Sequence, residues 1–324
     1  MNLLYKFSSI INDFPAYVKR YIWPLPKFRR EVVVMIDGKL CHGGLTDRFC
    51  LIMSVYSYCK VHGIPFKLYY VYPCKLTDIL MPNQYDWNIT PQDVSYSIYD
   101  SEDLCLYPLS LPLEMKSIGF LSYNDVLYHE RLRQCLDRGR KKQYHVYGNA
   151  FFARGDYRRL WNELFTPSPY LQKRLQSVRN SFRCPYEAVT LRFQQLLGDF
   201  TEGNFVILEG KEREELIDTC VKKIDSMYKE GYFSTKKVLV TSDSRSFLEI
   251  ISQKDYVYTV PGEMEHMDYT DNNNLEMNTK SFVDLYMLSE AKRVTLLKVG
   301  KMYRSGFPKF AAELGGKPFN LIEI

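Results

Sequence analysis

Several common signals are missing from this 324-residue sequence, and each absence excludes a class of protein. No apolar run approaches the roughly 20 residues that a membrane-spanning helix needs. The 8 cysteines contain no CxxC pair, which argues against a zinc site or a disulfide framework. No G-x-G-x-x-G follows a predicted strand, which argues against an NAD-type oxidoreductase. No block of Lys or Arg resembles a nucleic-acid arm, and we expect no nucleic-acid partner.

The remaining composition is that of a globular protein. Hydrophobic residues make up 46% of the chain, and 43 Lys and Arg against 38 Asp and Glu give a net charge of +5. A chain of this length exceeds what one hydrophobic core usually organises, so we predict two domains. The scattered cysteines and the lack of a recognisable signal peptide lead us to expect a reduced, cytoplasmic location.

Residues 1–30 have an amphipathic pattern. Leu3, Phe7, Ile10 and Phe14 recur at helical spacing, with basic residues around them. This pattern is typical of a helix lying on an anionic membrane, which predicts peripheral contact with the inner face of the membrane. A helix packed on its own domain explains the pattern equally well, and both readings stay open.

The apolar run 32–36 is followed by Gly43 and Gly44 and then by apolar residues at helical spacing. This order predicts a buried strand, a glycine turn and a helix. Such a unit points a helix N-terminus and backbone N–H groups at a ligand anion. Glycine lets the backbone approach closely because it carries no Cβ, although many α/β proteins use a glycine pair for packing alone.

Strands and helices alternate along the rest of the chain, which predicts an α/β fold with parallel sheets. Two prolines in 166–169 predict a hinge between a first domain at 31–166 and a second domain at 167–324. We predict that these two Rossmann-like, doubly wound domains face one another across a cleft. The predicted strands lie at 66–72, 144–147, 187–193, 237–241, 256–260, 294–299 and 319–324. The predicted helices lie at 156–165, 170–179, 211–230, 281–291 and 305–314, with a polar loop at 262–280.

Candidate site residues stand at three predicted strand ends of the second domain. Arg192 ends a buried strand and needs either a carboxylate or a phosphate as its partner. Asp243, after Ser242, is either a helix N-cap or an acceptor for a base or ribose. Ser305 is a sound N-cap, and Gly306 exposes backbone N–H groups on which a phosphate could rest.

Taken together, these stretches resemble GDP-fucose-dependent fucosyltransferases of the group that contains the nodulation, α-1,2, α-1,6 and protein O-fucosyltransferases, in a bacterial-type form. The resemblance implies that Gly43 and Gly44 face the sugar-phosphate and that Arg192 binds the β-phosphate. It also implies that Ser242 and Asp243 lie at the nucleoside. The stretches that carry the resemblance are 43–49, 190–192, 239–243 and 283–312, and in the last of these Ser305, Gly306 and Phe307 would hold the phosphates.

The family resemblance implies a GT-B fold, in which 31–166 is the acceptor-side domain and 167–324 the nucleotide-sugar-binding domain. It also implies transfer of fucose from GDP-fucose to an oligosaccharide or glycan acceptor, with inversion. It implies no metal and no other cofactor, and no Asp-x-Asp pair follows a predicted strand. Asp47 is the candidate general base and His42 the next. A structural loop histidine and a first-turn carboxylate that complements the helix dipole are equally open readings of these two residues.

Thr190 and Phe193 depart from the family pattern. Thr190 replaces the family's histidine, and Phe193 replaces a frequent second arginine. These departures leave an alternative function open, namely a catalytically weak or inactive protein that binds a sugar nucleotide or acts as a scaffold in a glycan assembly pathway.

Overall fold

The computed structural model of the protein describes residues 30–40, 42–106, 130, 132–134, 136–137, 142–148, 156–182, 184–199, 206–262 and 275–324. The amphipathic segment predicted at 1–30 lies outside these residues except for its last position. The chain forms two compact units. Of the described residues, the first unit holds those up to His42, Asp47–Val71 and those from Tyr85 to Gly148. The second unit holds Gly43–Thr46, Tyr72–Gln84 and Asp156–Ile324.

Strands and helices alternate in both units, as hydrophobic periodicity predicts. In chain order the elements are β1 (Glu31–Ile36), α1 (Leu45–Val61), β2 (Phe66–Tyr70), a 3₁₀ turn (Leu76–Asp78), β3 (Leu80–Pro82), β4 (Ser101–Leu106), β5 (Gln143–Gly148), α2 (Tyr157–Leu164), β6 (Phe165–Pro167), α3 (Pro169–Ser181), β7 (Tyr186–Leu191), α4 (Gly210–Lys229), β8 (Lys237–Ser242), α5 (Arg245–Ile251), β9 (Val257–Tyr258), α6 (Leu275–Glu290), β10 (Val294–Lys298), α7 (Phe307–Gly315) and β11 (Phe319–Glu323).

The first unit contains a parallel sheet with the strand order β2-β1-β5-β4. Val32 pairs with Phe66 on one side and with Tyr144 on the other, so β1 is a central strand. Its residues from Val32 to Ile36 are fully buried because a strand covered on both faces must be apolar along its whole length. The strand predicted at 32–36, the helix after it and the strand predicted at 66–72 are confirmed, and together they form a βαβ unit.

The second unit contains a parallel sheet with the order β11-β10-β7-β8-β9. Its core forms where one face of α4 packs against the central strands, through Ile217, Cys220 and Ile224. These residues recur every three or four positions, which places them on one side of the helix. The strands and helices predicted for this half of the chain are confirmed, with shifts at their ends.

Residues 166–169, predicted as a hinge, are part of the second unit instead. Phe165–Pro167 pairs antiparallel with Leu80–Pro82, and the Ser168 hydroxyl caps α3 by accepting a hydrogen bond from Leu171 N. The two prolines therefore mark the end of a short strand and the first position of a helix, where a missing N–H costs little. The long segment of the second unit begins at Asp156, whereas the predicted boundary is 166/167.

The last part of the loop predicted at 262–280 is helical. Helix α6 begins at Leu275 rather than at Ser281, and it buries Asn278, Thr279 and Lys280. The polar composition of residues 275–280 does not predict a buried helix turn, because tertiary packing overrides local composition. Among the described residues, none of the helices combines the length and the apolar character that crossing a membrane requires.

Candidate functional site

The strand order of the second sheet defines one place where a ligand is expected. Strand β7 lies at the centre, β8 and β9 follow on one side, and β10 and β11 follow on the other. The order therefore reverses between β7 and β10, which are neighbours. Open α/β sheets bind ligands at such a switch point, beyond the carboxyl ends of the strands.

Arg192 follows β7 at this switch point. Its side chain is 19% exposed, and its Nη1 lies 3.2 Å from Oδ2 of Asp243, whose side chain is 1% exposed. The carboxylate that an arginine at a buried strand end needs is therefore present. The backbone carbonyl of Arg192 also accepts a hydrogen bond of 3.1 Å from Tyr303 N, which ties the end of β7 to the segment after β10.

Asp243 is not an N-cap. The cap of α5 is Ser244, whose hydroxyl accepts a hydrogen bond from Phe247 N. The two oxygens of Asp243 accept from consecutive backbone groups, Phe193 N at 2.8 Å and Gln194 N at 2.7 Å. Burial raises the pKa of Asp243, and the charge of Arg192 and these N–H groups oppose that rise.

The start of α7 lies on the β10 side of the switch point. Gly306 rather than Ser305 is the N-cap residue, and it makes no side-chain capping bond. The hydroxyl of Ser305 nevertheless accepts a hydrogen bond of 3.2 Å from Phe307 N. Ser305 therefore binds a backbone N–H group at this helix start, as predicted, but from the position before the N-cap.

The first turn of α1, which follows the glycine pair, lies near the same helix start. Gly43 has a φ of +70°, in the left-handed region that glycine adopts without strain. Residues Gly43–Thr46 belong to the second unit, and Cγ2 of Thr46 lies 3.9 Å from where a Cβ on Gly306 would stand. The helix that follows the loop predicted to face a sugar-phosphate therefore begins near the predicted phosphate-holding helix start.

A pocket of about 420 Å³ opens beside Asp243, at the carboxyl ends of β8 and β9. Its wall includes Ser242, whose hydroxyl donates to Asp243 Oδ1 at 3.4 Å. Segment 259–262 and one face of α5 also line it. The predicted nucleoside residues Ser242 and Asp243 therefore line a cavity in the same unit as Arg192.

The two candidate bases belong to the first unit. His42 is fully buried, its Nε2 accepts a 3.0 Å hydrogen bond from Gly38 N, and its ring stacks on Tyr147 at 6.4 Å. Asp47 lies in the first turn of α1 and is half-buried. Among the residues that the structure describes, no three His, Cys, Asp or Glu side chains stand close enough to hold a metal ion.

Sequence reasoning missed the groups that join the strand ends. Tyr303 and the backbone N–H groups of Phe193 and Gln194 had no assigned role. Gln194 has a φ of +54°, and glutamine gives no signal for that conformation because it is not a residue type that favours it. The buried pair of Lys280 and Asp284 was also missed, since Lys280 fell in the predicted loop.

No protein-family model matches the chain, and no curated protein matches its sequence. Solved structures that share its fold include fucosyltransferases, several in complex with GDP or GDP-fucose. They confirm the predicted α/β, GT-B fold class and, at the level of the fold, the resemblance to GDP-fucose-dependent fucosyltransferases.

Three of these structures illustrate the likeness. A NodZ α-1,6-fucosyltransferase soaked with GDP-fucose has 12% identity and a TM-score of 0.52, with 88% of this chain and 93% of that chain covered. POFUT1 in complex with GDP-fucose has 12% identity and a TM-score of 0.51, covering 92% and 98%. An Arabidopsis thaliana FUT1 mutant in complex with GDP has 13% identity and a TM-score of 0.52, covering 96% and 73%. At these identities the likeness establishes the fold.

Proposed function

We propose that this chain transfers fucose from GDP-fucose to a glycan acceptor, with inversion at the anomeric carbon and without a metal ion. The observation that carries the proposal is the position of Arg192, a partly exposed cation at the switch point of a parallel sheet. The fold that the chain shares with fucosyltransferases supports the same function.

Departure of GDP is the step that the second unit would assist. Glycosyl transfer passes through an oxocarbenium-like state, while negative charge develops on the leaving group. The planar guanidinium of Arg192 can bind two phosphate oxygens at once. The start of α7 and the Gly43–Gly44 loop are the other places where the resemblance implies donors for the phosphates. Preorganised donors of this kind each lower a barrier by about 3–4 kcal/mol, so protein groups could stabilise the departing diphosphate.

The acceptor hydroxyl loses its proton as it attacks the anomeric carbon, and Asp47 is the base that we favour. Asp47 is half-buried at the start of α1. His42 remains the second candidate, but its ring is fully buried and its Nε2 already accepts a hydrogen bond. A carboxylate that reaches solvent is better suited than a buried imidazole to meet an incoming hydroxyl.

A catalytically weak or inactive sugar-nucleotide-binding or scaffold protein is the second candidate. Two contacts favour it. Arg192 is engaged by Asp243, as in an internal structural pair. The hydroxyl of Thr190, which stands where the family has histidine, lies 2.8 Å from that of Thr241 and is thus bound within the sheet.

Replacement of Arg192 tests the proposal. We expect Arg192→Ala to lower product formation from GDP-fucose at least about 100-fold on an acceptor panel, because leaving-group stabilisation is lost. The thermal midpoint should fall only modestly, because Asp243 keeps the hydrogen bonds from Phe193 N and Gln194 N when the guanidinium is removed. Arg159→Ala is the matched control, because Arg159 is an arginine of the same unit with a side chain 65% exposed.

Near-wild-type turnover of Arg192→Ala would refute the role of this arginine. A thermal-shift comparison of GDP, UDP and NAD on the wild-type protein separates the two candidates further. Stabilisation by GDP with no product from any acceptor would favour the binding or scaffold protein.

A further inference from the structure

We propose that Asp243 is a positioning residue that holds Arg192 in place for a diphosphate and does not itself contact the nucleoside. The proposal rests on the function proposed above, because it concerns how the same arginine meets the donor. It also replaces the role that the sequence resemblance implies for Asp243.

Three donors from three consecutive residues converge on this one carboxylate. Phe193 N donates to Oδ1 at 2.8 Å, and Gln194 N donates to Oδ2 at 2.7 Å. The guanidinium of Arg192 reaches the same Oδ2 at 3.2 Å. Asp243 therefore binds both the side chain of the arginine and the backbone that follows it.

The turn that Asp243 binds is strained. Gln194 has a φ of +54°, in the left-handed region that a side chain with a Cβ adopts at a cost. Phe193 is fully buried in the core of the second unit, so the turn cannot relax by withdrawing it. Two charge-assisted hydrogen bonds to a buried carboxylate are the kind of support that maintains such a conformation.

The backbone of Arg192 is held from the other side as well. Its carbonyl accepts from Tyr303 N at 3.1 Å, so residue 192 is anchored between β8 and the segment after β10. A long arginine side chain loses rotamer freedom when it binds a ligand. An arginine that is already oriented loses less, and the carboxylate of Asp243 supplies that orientation.

A direct role at the nucleoside is the competing reading, because Asp243 lines the pocket of about 420 Å³. Both carboxylate oxygens already accept backbone N–H groups, so a ribose hydroxyl would compete with bonds that support the turn. Burial of this side chain to 1% exposure also limits its access to a ligand.

Binding of inorganic pyrophosphate and of GDP to Asp243→Asn, measured by calorimetry, separates the readings. An amide cannot accept both backbone N–H groups, so the turn and the arginine lose their support. We expect both dissociation constants to rise by the same factor, about tenfold, as for one newly mobile side chain. Asp225→Asn is the matched control, because it removes a carboxylate that binds Lys254 and Tyr256 in the same unit.

A loss confined to GDP would overturn the proposal in favour of nucleoside contact. Unchanged or lower dissociation constants for both ligands, with a reduced thermal midpoint, would overturn it in favour of a structural pair. If Asp243→Asn does not fold, the same measurements use Asp243→Asn combined with Gln194→Gly, since glycine takes the positive φ without cost.

Hydrogen exchange in the ligand-free protein gives a readout that needs no donor. We expect Asp243→Asn to speed amide exchange in residues 191–197 at least about tenfold, while exchange in α4 stays unchanged. Unchanged exchange in 191–197 overturns the proposal whatever the ligand. If the wild-type protein binds neither GDP nor pyrophosphate but exchange responds as expected, the proposed function fails while the positioning role of Asp243 stands.

Discussion

Two buried carboxylates of the second unit, Asp243 and Asp284, face their cations in different ways. Both side chains are 1% exposed, and burial raises the pKa of each. Asp284 is bound by Lys280 from the same helix, with Nζ 2.6 Å from each carboxylate oxygen and the lysine 3% exposed. Asp243 is bound by an arginine that reaches the surface and by two backbone N–H groups.

The Lys280–Asp284 pair, which we call the sealed pair, is closed to solvent on both sides. The Arg192–Asp243 pair, which we call the edge pair, lies at the carboxyl ends of the strands, and its cation reaches solvent. Withdrawing two charges from water costs about as much as their attraction returns, so a sealed pair adds little net stability. A pair whose cation still reaches solvent can exchange part of its contact for a ligand anion. We therefore read Lys280 and Asp284 as a packing unit of α6, and Arg192 and Asp243 as part of a site.

The largest effect is expected when the sealed pair is broken on one side. Lys280→Met leaves Asp284 buried without its cation, which should lower the free energy of unfolding by about 3–5 kcal/mol. Urea denaturation at neutral pH measures this. The Lys280→Met, Asp284→Leu double variant should recover most of the loss, because no charge remains to be buried.

A corresponding double replacement of the Arg192–Asp243 pair tests whether the two ion pairs differ. Arg192→Met with Asp243→Leu should not recover stability, because Phe193 N and Gln194 N lose their acceptor. Each buried N–H left without a partner costs about 1–3 kcal/mol. Equal recovery in the two double variants would show that the two pairs do not differ in the way described.

A smaller loss is expected at Gly262, which adjoins the sealed pair. Its φ is +119°, and a Cβ there would lie 3.2 Å from Cδ of Lys280. Gly262→Ala should cost about 2–3 kcal/mol, because the backbone conformation is nearly restricted to glycine and the lysine stem must also shift.

Gly231→Ala is the control for that substitution. Gly231 has a φ of +76°, and no atom of the described residues lies within 4 Å of the added Cβ, so only the backbone cost of about 1 kcal/mol remains. Thermal unfolding of both variants measures the difference. Equal losses would mean that Lys280 adapts freely and is less firmly held than its burial indicates.

The smallest effect concerns pH. Because the pKa of Asp284 is raised above its ordinary value of 3.8 in the folded protein, the folded state binds a proton where the unfolded state has lost it. The free energy of unfolding should therefore fall as pH rises from about 4 to the pKa of Asp284 in the folded protein. The fall is about 1.4 kcal/mol for each unit by which that pKa is raised. Urea denaturation across this range should give a flatter profile for Lys280→Met, Asp284→Leu than for the wild type. A steeper profile would contradict the direction given for Asp284.

Most of the strands and helices of the second unit could be predicted from the sequence. The strand that ends at Arg192 and the helix face of Ile217, Cys220 and Ile224 follow from local apolar periodicity. The start of α6 could not be predicted, because Lys280 is polar and its burial depends on Asp284 and on the approach of Gly262.

The candidate site was predicted in part. Arg192, Gly306 and Phe307 were assigned to strand and helix ends, and the structure has them at such ends. The partner of Arg192 was left open between a carboxylate and a phosphate, and the structure supplies Asp243 as the carboxylate. No local pattern identifies that partner, because Asp243 and Phe193 are 50 residues apart in sequence.

The sequence by itself determined the alternation of strands and helices and the strand ends at which polar residues gather, because apolar spacing, glycine and proline act on neighbouring residues. Only the tertiary structure decided that β7 and β8 are adjacent and that Asp243 supports the left-handed turn after Arg192. The physical reason is that contact between distant residues depends on strand order and burial, and no single stretch of the chain determines either of them.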